Sequence, residues 1–149
     1  MDSRENILHL MHQYCVSIDT GSCEGFAKLF EHASWITEGS EPVVGRAGIE
    51  KLWEQIIIYE DGTPRTKHFV SNVDLAIDEA AGTATAESYL TLYQQTDEFP
   101  LQVCFVGHYF DDFERVDGSW RFAKRVIRNS LVGDLSAHLR APGSVIPEA

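Results

Sequence analysis

Four long segments in the second half of the chain alternate apolar and polar residues with the two-residue period of β-strands. These segments are 66–77, 83–95, 101–115 and 119–131. Short turns separate them, and Asp117-Gly118 is a typical two-residue hairpin turn. Strands joined in this way pair antiparallel with their neighbours, which predicts a meander. Strands of this length coil rather than stay flat, so the sheet is expected to curve.

The first half of the chain carries the longer period of amphipathic helices. Apolar residues recur at helical spacing at Ile7, Leu8, Met11, Cys15 and Ile18. This stripe predicts a first helix that ends near Asp19. Further helices are predicted at 24–30 and 46–58, with a short strand at 33–37 between them. Such an order predicts a single α+β domain over 1–149, in which three helices cover the concave face of a cone-like sheet around one cavity.

Composition limits the partners that this chain can bind. Its net charge of −11 over 149 residues argues against nucleic acid and anionic membrane surfaces, because phosphate binding needs a basic surface. No apolar run approaches the roughly 18 residues of a membrane-spanning helix. The first residues lack the apolar core of a signal peptide, so we expect a cytoplasmic protein. The tail at 135–149 is expected to lie across the cavity or against a neighbouring subunit.

Motifs for cofactors and metals are absent from the sequence. Cys15, Cys23 and Cys104 are odd in number and widely spaced, which is typical of reduced structural thiols. His9 and His12 are one helical turn apart, but no third ligand accompanies them. The glycines form no phosphate-binding pattern. We therefore expect neither a cofactor nor a metal.

One carboxylate stands where the first helix should bury an apolar side chain. Asp19 follows Met11 and Cys15 in steps of four residues, and a buried carboxylate needs a partner or its pKa rises. The candidate partner is His68, near the start of the apolar strand 67–73. An aspartate that fixes one histidine tautomer makes that histidine a competent general base. The pair is predicted to be catalytic; the alternative is a satisfied helix end beside a core histidine.

Several short motifs accompany this pair: Ile18-Asp19, Trp35, Lys67-His68-Phe69 and the segment FERVDGSWRF at 113–122. With the order of elements, they resemble the SnoaL-like branch of the nuclear transport factor 2-like superfamily, which has a cystatin-like cone fold. The resemblance covers about residues 3–135. It implies similarity to the scytalone dehydratases and hexachlorocyclohexane dehydrochlorinases, which carry a catalytic Asp and His at the positions of Asp19 and His68. It also implies pocket roles for Trp35 and Arg125.

A second set of residues is predicted to bind a substrate. Asn72 shares strand parity with His68 and should face the same side of the sheet. Arg125 lies on an apolar strand face, where it would anchor a substrate or pair with a carboxylate such as Glu87. Asp111, by contrast, is expected at a solvated strand end. Aromatic side chains suited to a flat hydrophobic ligand, each of which has ordinary core packing as its alternative, are Tyr14, Trp35, Trp53, Tyr89, Phe105 and Tyr109.

Together these features favour a cofactor-independent lyase or isomerase of the dehydratase type, acting on a small hydrophobic, hydroxylated ring compound. Two alternatives stay open. One is a non-catalytic ligand-binding or oligomer-assembly protein, similar to the small subunits of ring-hydroxylating dioxygenases. The other is a polyketide cyclase in which Asp19 is the base. An open sheet face needs cover, so a homodimer or homotrimer is expected in each case.

Overall fold

Six strands and four helices make up the computed structural model, which describes residues 1–146. The strands are β1 Ser34–Thr37, β2 Val43–Val44, β3 Thr66–Asp78, β4 Thr83–Gln94, β5 Gln102–Val116 and β6 Ser119–Val132. The helices are α1 Ser3–Asp19, α2 Cys23–Leu29, α3 Gly45–Trp53 and α4 Pro142–Val145. Within residues 1–146, every helix is too short or too polar to cross a membrane.

The strands form one open sheet in the order β2-β1-β6-β5-β4-β3. The four long strands pair antiparallel with their sequence neighbours, as the alternating pattern predicts. β1 extends the sheet by pairing parallel to β6, which sets Trp35 beside Arg125. Apolar residues of α1 and α2 pack with inward-facing residues of the long strands in one core. This arrangement confirms the predicted α+β fold.

The ends of α1 are fixed by local interactions. At the start, Asp2 accepts a hydrogen bond from the backbone of Glu5 at 2.8 Å, and the Glu5 side chain accepts one from the backbone of Asp2 at 3.0 Å. At the far end, Gly21 has a φ of 77°, and a Cβ there would lie 1.9 Å from the carbonyl oxygen of Gly62. Only glycine permits this close approach. The end of α1, with Asp19, is thereby held near the loop that leads into β3.

Helix α3 ends at Trp53, five residues before the end predicted at Ile58. The backbone beyond it bonds to the C-terminal segment instead of continuing the helix. Ile57 N donates to the carbonyl oxygen of His138 at 2.8 Å, and Arg140 N donates to that of Gln55 at 2.8 Å. The apolar pattern therefore continues past Trp53 because this stretch packs against the tail. The prediction that the tail lies across the cavity agrees with this path up to residue 146; residues 147–149 are outside the described part.

A bulge in β3 reverses which side chains face inward. Pairing with β4 shifts register between Ser71 and Asp74, and Asn72 has a φ of 54°. His68 lies on the inner face before the bulge, and Val73 does so after it. Asn72 is exposed. The prediction that Asn72 shares the face of His68 is therefore wrong, because it assumed unbroken alternation.

Candidate active site

The carboxylate of Asp19 accepts three hydrogen bonds from the start of β3. Its Oδ1 lies 2.6 Å from Nδ1 of His68 and accepts a second bond from the hydroxyl of Thr66 at 2.8 Å. Its Oδ2 accepts a bond from the backbone N–H of His68 at 2.8 Å. The side chains of His68 and Asp19 are only 5% and 8% exposed. The end of α1 thus binds both the backbone and the ring of His68.

This contact determines which nitrogen of His68 is free. A carboxylate only accepts hydrogen bonds, so Nδ1 is the nitrogen that donates to Asp19, and in the neutral ring Nε2 carries the lone pair. Burial by itself would raise the pKa of Asp19, but the hydrogen bonds and charge of His68, together with Thr66, outweigh it and lower that pKa. Asp19 therefore stays ionised and can stabilise a protonated His68.

The lowered pKa of Asp19 predicts how stability depends on pH. The ionised Asp19 contributes to the free energy of unfolding. This contribution is complete above the usual aspartate pKa of 3.8, and it is lost as the pH falls through the lower pKa that Asp19 has in the folded state. The difference in free energy of unfolding between the wild type and Asp19→Asn should be largest near neutral pH and should narrow below about pH 4. Urea unfolding across this range measures it. Glu60→Gln, at an exposed carboxylate, is the control. A difference that stays constant to about pH 3 would contradict the ionised Asp19.

The ring of His68 lines a cavity of about 80 Å³ between the helices and the sheet. A single water needs only about 10–15 Å³ by the same kind of measure, so this space holds a ligand of several heavy atoms. Most of the wall is apolar or aromatic, and it includes the predicted residues Tyr14, Trp35, Phe105 and Tyr109. The C-terminal segment closes one side with Leu135, His138, Leu139, Val145 and Ile146.

Four side chains of this wall have a buried polar atom with no hydrogen-bond partner among residues 1–146. These atoms are Trp35 Nε1, Thr37 Oγ1, the Tyr109 hydroxyl and His138 Nδ1. Buried polar atoms in proteins are as a rule hydrogen-bonded. Burial raises the pKa of Tyr109 well above its usual value, so its phenol remains protonated and able to donate. The wall can therefore bind a ligand that carries oxygen atoms on an apolar frame.

Arg125 lies behind this wall and is fully buried. Its Nε and Nη2 donate to the two carboxylate oxygens of Asp111, each at 2.7 Å. Its guanidinium carbon lies 4.2 Å from the ring centre of Tyr14 and 3.8 Å from that of Tyr109. The predicted solvated position of Asp111 is wrong, because Asp111 faces inward on β5 opposite Arg125. Glu87, the carboxylate suggested for Arg125, lies beside His108 instead.

Two predicted aromatic residues lie outside the cavity wall. Tyr89 is 47% exposed, because its neighbours Ser88 and Leu90 occupy the inward positions of β4. Trp53 is half-buried at the end of α3 and packs against Phe26, with 5.9 Å between the ring centres. Neither side chain therefore forms part of the wall of this cavity. An aromatic residue in the sequence does not by itself fix the direction of its side chain.

Three polar residues of the site were not predicted from the sequence. Thr66 follows the turn before β3 and shares strand parity with His68. Parity was therefore the signal that could have identified it. Thr37 ends the short strand β1, where the pattern is too brief to assign a face. His138 lies in a segment with no periodic pattern, and only the folded chain brings it to the cavity. Among the described residues, no group of three His, Cys, Asp or Glu side chains is arranged to hold a metal ion.

Comparison with known proteins agrees with this architecture. A candidate scytalone dehydratase from Novosphingobium aromaticivorans is 25% identical, with a TM-score of 0.71, over 88% of this chain and 86% of that one. A hexachlorocyclohexane dehydrochlorinase from Novosphingobium barchaimii is 21% identical, with a TM-score of 0.69, over 87% and 88%. A protein of unknown function from Mycobacterium tuberculosis is 24% identical, with a TM-score of 0.72, over 87% and 72%.

Sequence comparison places the chain in a family. A search of curated protein sequences gives no significant match. The profile of the SnoaL-like domain, however, matches residues 1–126, which is most of the chain. Similar solved structures share the same nuclear transport factor 2-like, cystatin-like fold. The chain belongs to the SnoaL-like domain family.

Proposed function

We propose that this protein is a cofactor-independent lyase of the dehydratase type, in which His68 is the base and Asp19 orients it. The observation that carries the proposal is the 2.6 Å contact between Asp19 Oδ1 and His68 Nδ1, on a ring that lines an apolar cavity. The proposed substrate is a small hydrophobic ring compound with a carbonyl group and a hydroxyl group on the second carbon from it.

The reaction is an elimination of water. Nε2 of His68 removes a proton from the carbon between the carbonyl and hydroxyl-bearing carbons, and the electron pair moves to the carbonyl oxygen. As the carbonyl re-forms, the carbon–oxygen bond of the hydroxyl group breaks. The protonated His68 gives its proton to the departing oxygen, so the products are water and a conjugated ketone. Asp19 stabilises the imidazolium during this sequence, and the apolar wall excludes competing water.

The phenol of Tyr109 and Nε1 of Trp35 are suited to bind the carbonyl oxygen. Both are buried donors on the cavity wall, close to the hydroxyl of Tyr14. Negative charge develops on that oxygen in the transition state, and donors fixed in advance stabilise it. Arg125 contacts the ring of Tyr109 and helps to hold it in place. Arg125 is thus assigned a supporting role rather than direct contact with the substrate.

The names of two similar structures support this class of reaction. A scytalone dehydratase removes water, and a dehydrochlorinase removes hydrogen chloride, so both names describe eliminations. Their sequence identities to this chain, 25% and 21%, are too low to identify its substrate. The cavity instead limits the size of the substrate, because its volume is only about 80 Å³.

A panel of β-hydroxy cyclic ketones tests the proposal, beginning with 3-hydroxycyclohexanone and its ring-fused analogues. The wild type should form the conjugated ketone, followed by its ultraviolet absorbance, and should exchange the proton next to the carbonyl in D₂O, followed by NMR. His108→Gln, at a histidine on the outer face of the sheet, is the matched control and should react like the wild type. A panel that reacts no faster with wild type than with His68→Gln would contradict the proposal.

The outer face of the sheet supports self-association into a dimer or trimer. Large apolar side chains are exposed there, including Phe69 on β3, which is 56% exposed, and Tyr89 on β4. Apolar patches of this kind are commonly covered by a partner. Sedimentation equilibrium decides the question, and a monomeric mass at micromolar concentration would exclude a stable oligomer.

A further inference from the structure

His138 is a second imidazole in the wall of the same cavity. It lies in the segment that follows β6, and it lines the cavity together with His68. The residue is 6% exposed, and its Nδ1 is buried without a partner among residues 1–146. The surrounding residues Leu135 and Leu139 are apolar. A leucine would fill this position without burying an unpaired nitrogen, so packing alone does not account for a histidine.

The backbone around His138 is fixed on several sides. His138 N donates to the carbonyl oxygen of Leu135 at 3.0 Å, and its own carbonyl oxygen accepts from Ile57 N at 2.8 Å. The preceding carbonyl, of Ala137, accepts from Nε2 of Gln94 at 3.0 Å and from the hydroxyl of Tyr59. The imidazole is therefore presented to the cavity by a segment that is bonded to β4 and to the chain after α3.

The charge state of His138 is set by its surroundings. Burial and, to a smaller extent, the charge of His68 lower the pKa of His138 to about 3, although Asp19 opposes the shift. A neutral imidazole has one N–H donor and one acceptor nitrogen. At neutral pH His138 therefore offers hydrogen bonds without competing with His68 as a base.

We propose that His138 is a substrate-binding residue whose imidazole hydrogen-bonds an oxygen of the ligand. The inference rests on the proposed function and adds to it. One oxygen of the substrate is bound beside Tyr109 and Trp35, and a second oxygen is recognised by His138. The cavity thereby selects ring compounds that carry two oxygen substituents over those that carry one.

Three non-reacting probes of one shape test this selection. They are m-xylene, 3-methylphenol and resorcinol, which carry no, one and two hydroxyl groups on the same ring. Dissociation constants are measured by calorimetry for the wild type, His138→Leu and His138→Gln. The dissociation constant for 3-methylphenol divided by that for resorcinol measures the preference for a second hydroxyl group. This ratio should be about fivefold to tenfold smaller in His138→Leu than in the wild type. Glutamine keeps a donor and an acceptor, so His138→Gln should restore most of the ratio.

Thermal unfolding separates recognition from a structural role. His138→Leu removes an unpaired buried nitrogen, so its melting temperature should equal or exceed that of the wild type, by up to about 3 °C. His9→Leu, at an exposed histidine of α1, is the control and should change neither the ratio nor the melting temperature. A His138→Leu variant with a lower melting temperature and an unchanged ratio would show that His138 is structural.

Two further outcomes overturn the assignment. One is an unchanged ratio in His138→Leu at any stability, and the other is a wild type that fails to bind resorcinol at millimolar concentration. The probes have no leaving group, so these results do not depend on turnover. If the ratio is unchanged in His138→Leu while turnover still requires His68, only the proposed role of His138 is contradicted. If the ratio is lost in His138→Leu while the wild type shows no turnover, only the proposed elimination reaction is contradicted.

Discussion

His68→Gln is expected to lower kcat/KM by about 100- to 10,000-fold on any substrate that the panel identifies, which is the usual contribution of a general base. Glutamine has a similar size and can still donate a hydrogen bond to Asp19, but it has no lone-pair nitrogen that can take a proton. The fold should therefore remain intact, as circular dichroism and the melting temperature would show. The loss should appear mainly in kcat, because the ring acts on the reacting proton more than on binding.

Asp19→Asn distinguishes this mechanism from the cyclase alternative. If His68 is the base, Asp19→Asn should reduce kcat less than or about as much as His68→Gln, because the substituted amide would still contact the ring but would no longer stabilise its positive charge. If Asp19 is the base, its loss should abolish turnover while His68→Gln retains most of it. That second pattern would contradict the proposed mechanism. His108→Gln serves as the control for both measurements.

Asp111→Asn is expected to have the largest effect on stability. It removes the charge that compensates Arg125, whose side chain is fully buried. Breaking a buried ion pair on one side costs about 3–5 kcal/mol, because an uncompensated charge is left in the core. For a chain of this length, that corresponds to a fall in melting temperature of roughly 10–15 °C. Differential scanning calorimetry measures it directly.

The neighbouring pair of the same two strands supplies a matched control. Lys124 Nζ lies 3.1 Å from Asp112, and both side chains are nearly half exposed. Asp112→Asn should therefore cost less than about 1 kcal/mol. The double variant Asp111→Leu with Arg125→Met should be more stable than Asp111→Asn, since it buries no charge. Equal melting temperatures for Asp111→Asn and Asp112→Asn would contradict a structural role for the buried pair.

The fold was predictable because its signals are periodic and long. The four strands of the meander each carry many alternations, so errors at single positions do not change the assignment. Helix α1 carries a stripe of five apolar residues and a capping box at Asp2 and Glu5. Helix α3 was harder, because Ile56 and Ile57 continue its apolar pattern but pack against residues 138–140, far away in sequence.

The site was predictable only in part, for a related reason. Asp19 breaks an apolar stripe, and a buried charge demands a partner, so the sequence alone points to it. The direction of a side chain is a weaker signal. Strand parity predicted that Asn72 faces the cavity, because no sequence feature marks the bulge. The pairing of Arg125 with Asp111 was not predicted, because strand register cannot be read from composition. His138 reaches the cavity through tertiary contacts alone.

The bulge of β3 matters for protein engineering. Before it, the side chains at even positions, such as His68 and Val70, face inward; after it, those at odd positions, such as Val73 and Leu75, do so. A mutant library that randomises the inner surface must therefore change its numbering rule at residue 72. Because β3 has one extra residue here relative to β4, deleting Asn72 would leave the inner side chains inside and remove only the local irregularity. Strand length at this point can thus be varied separately from the identity of the residues that line the cavity.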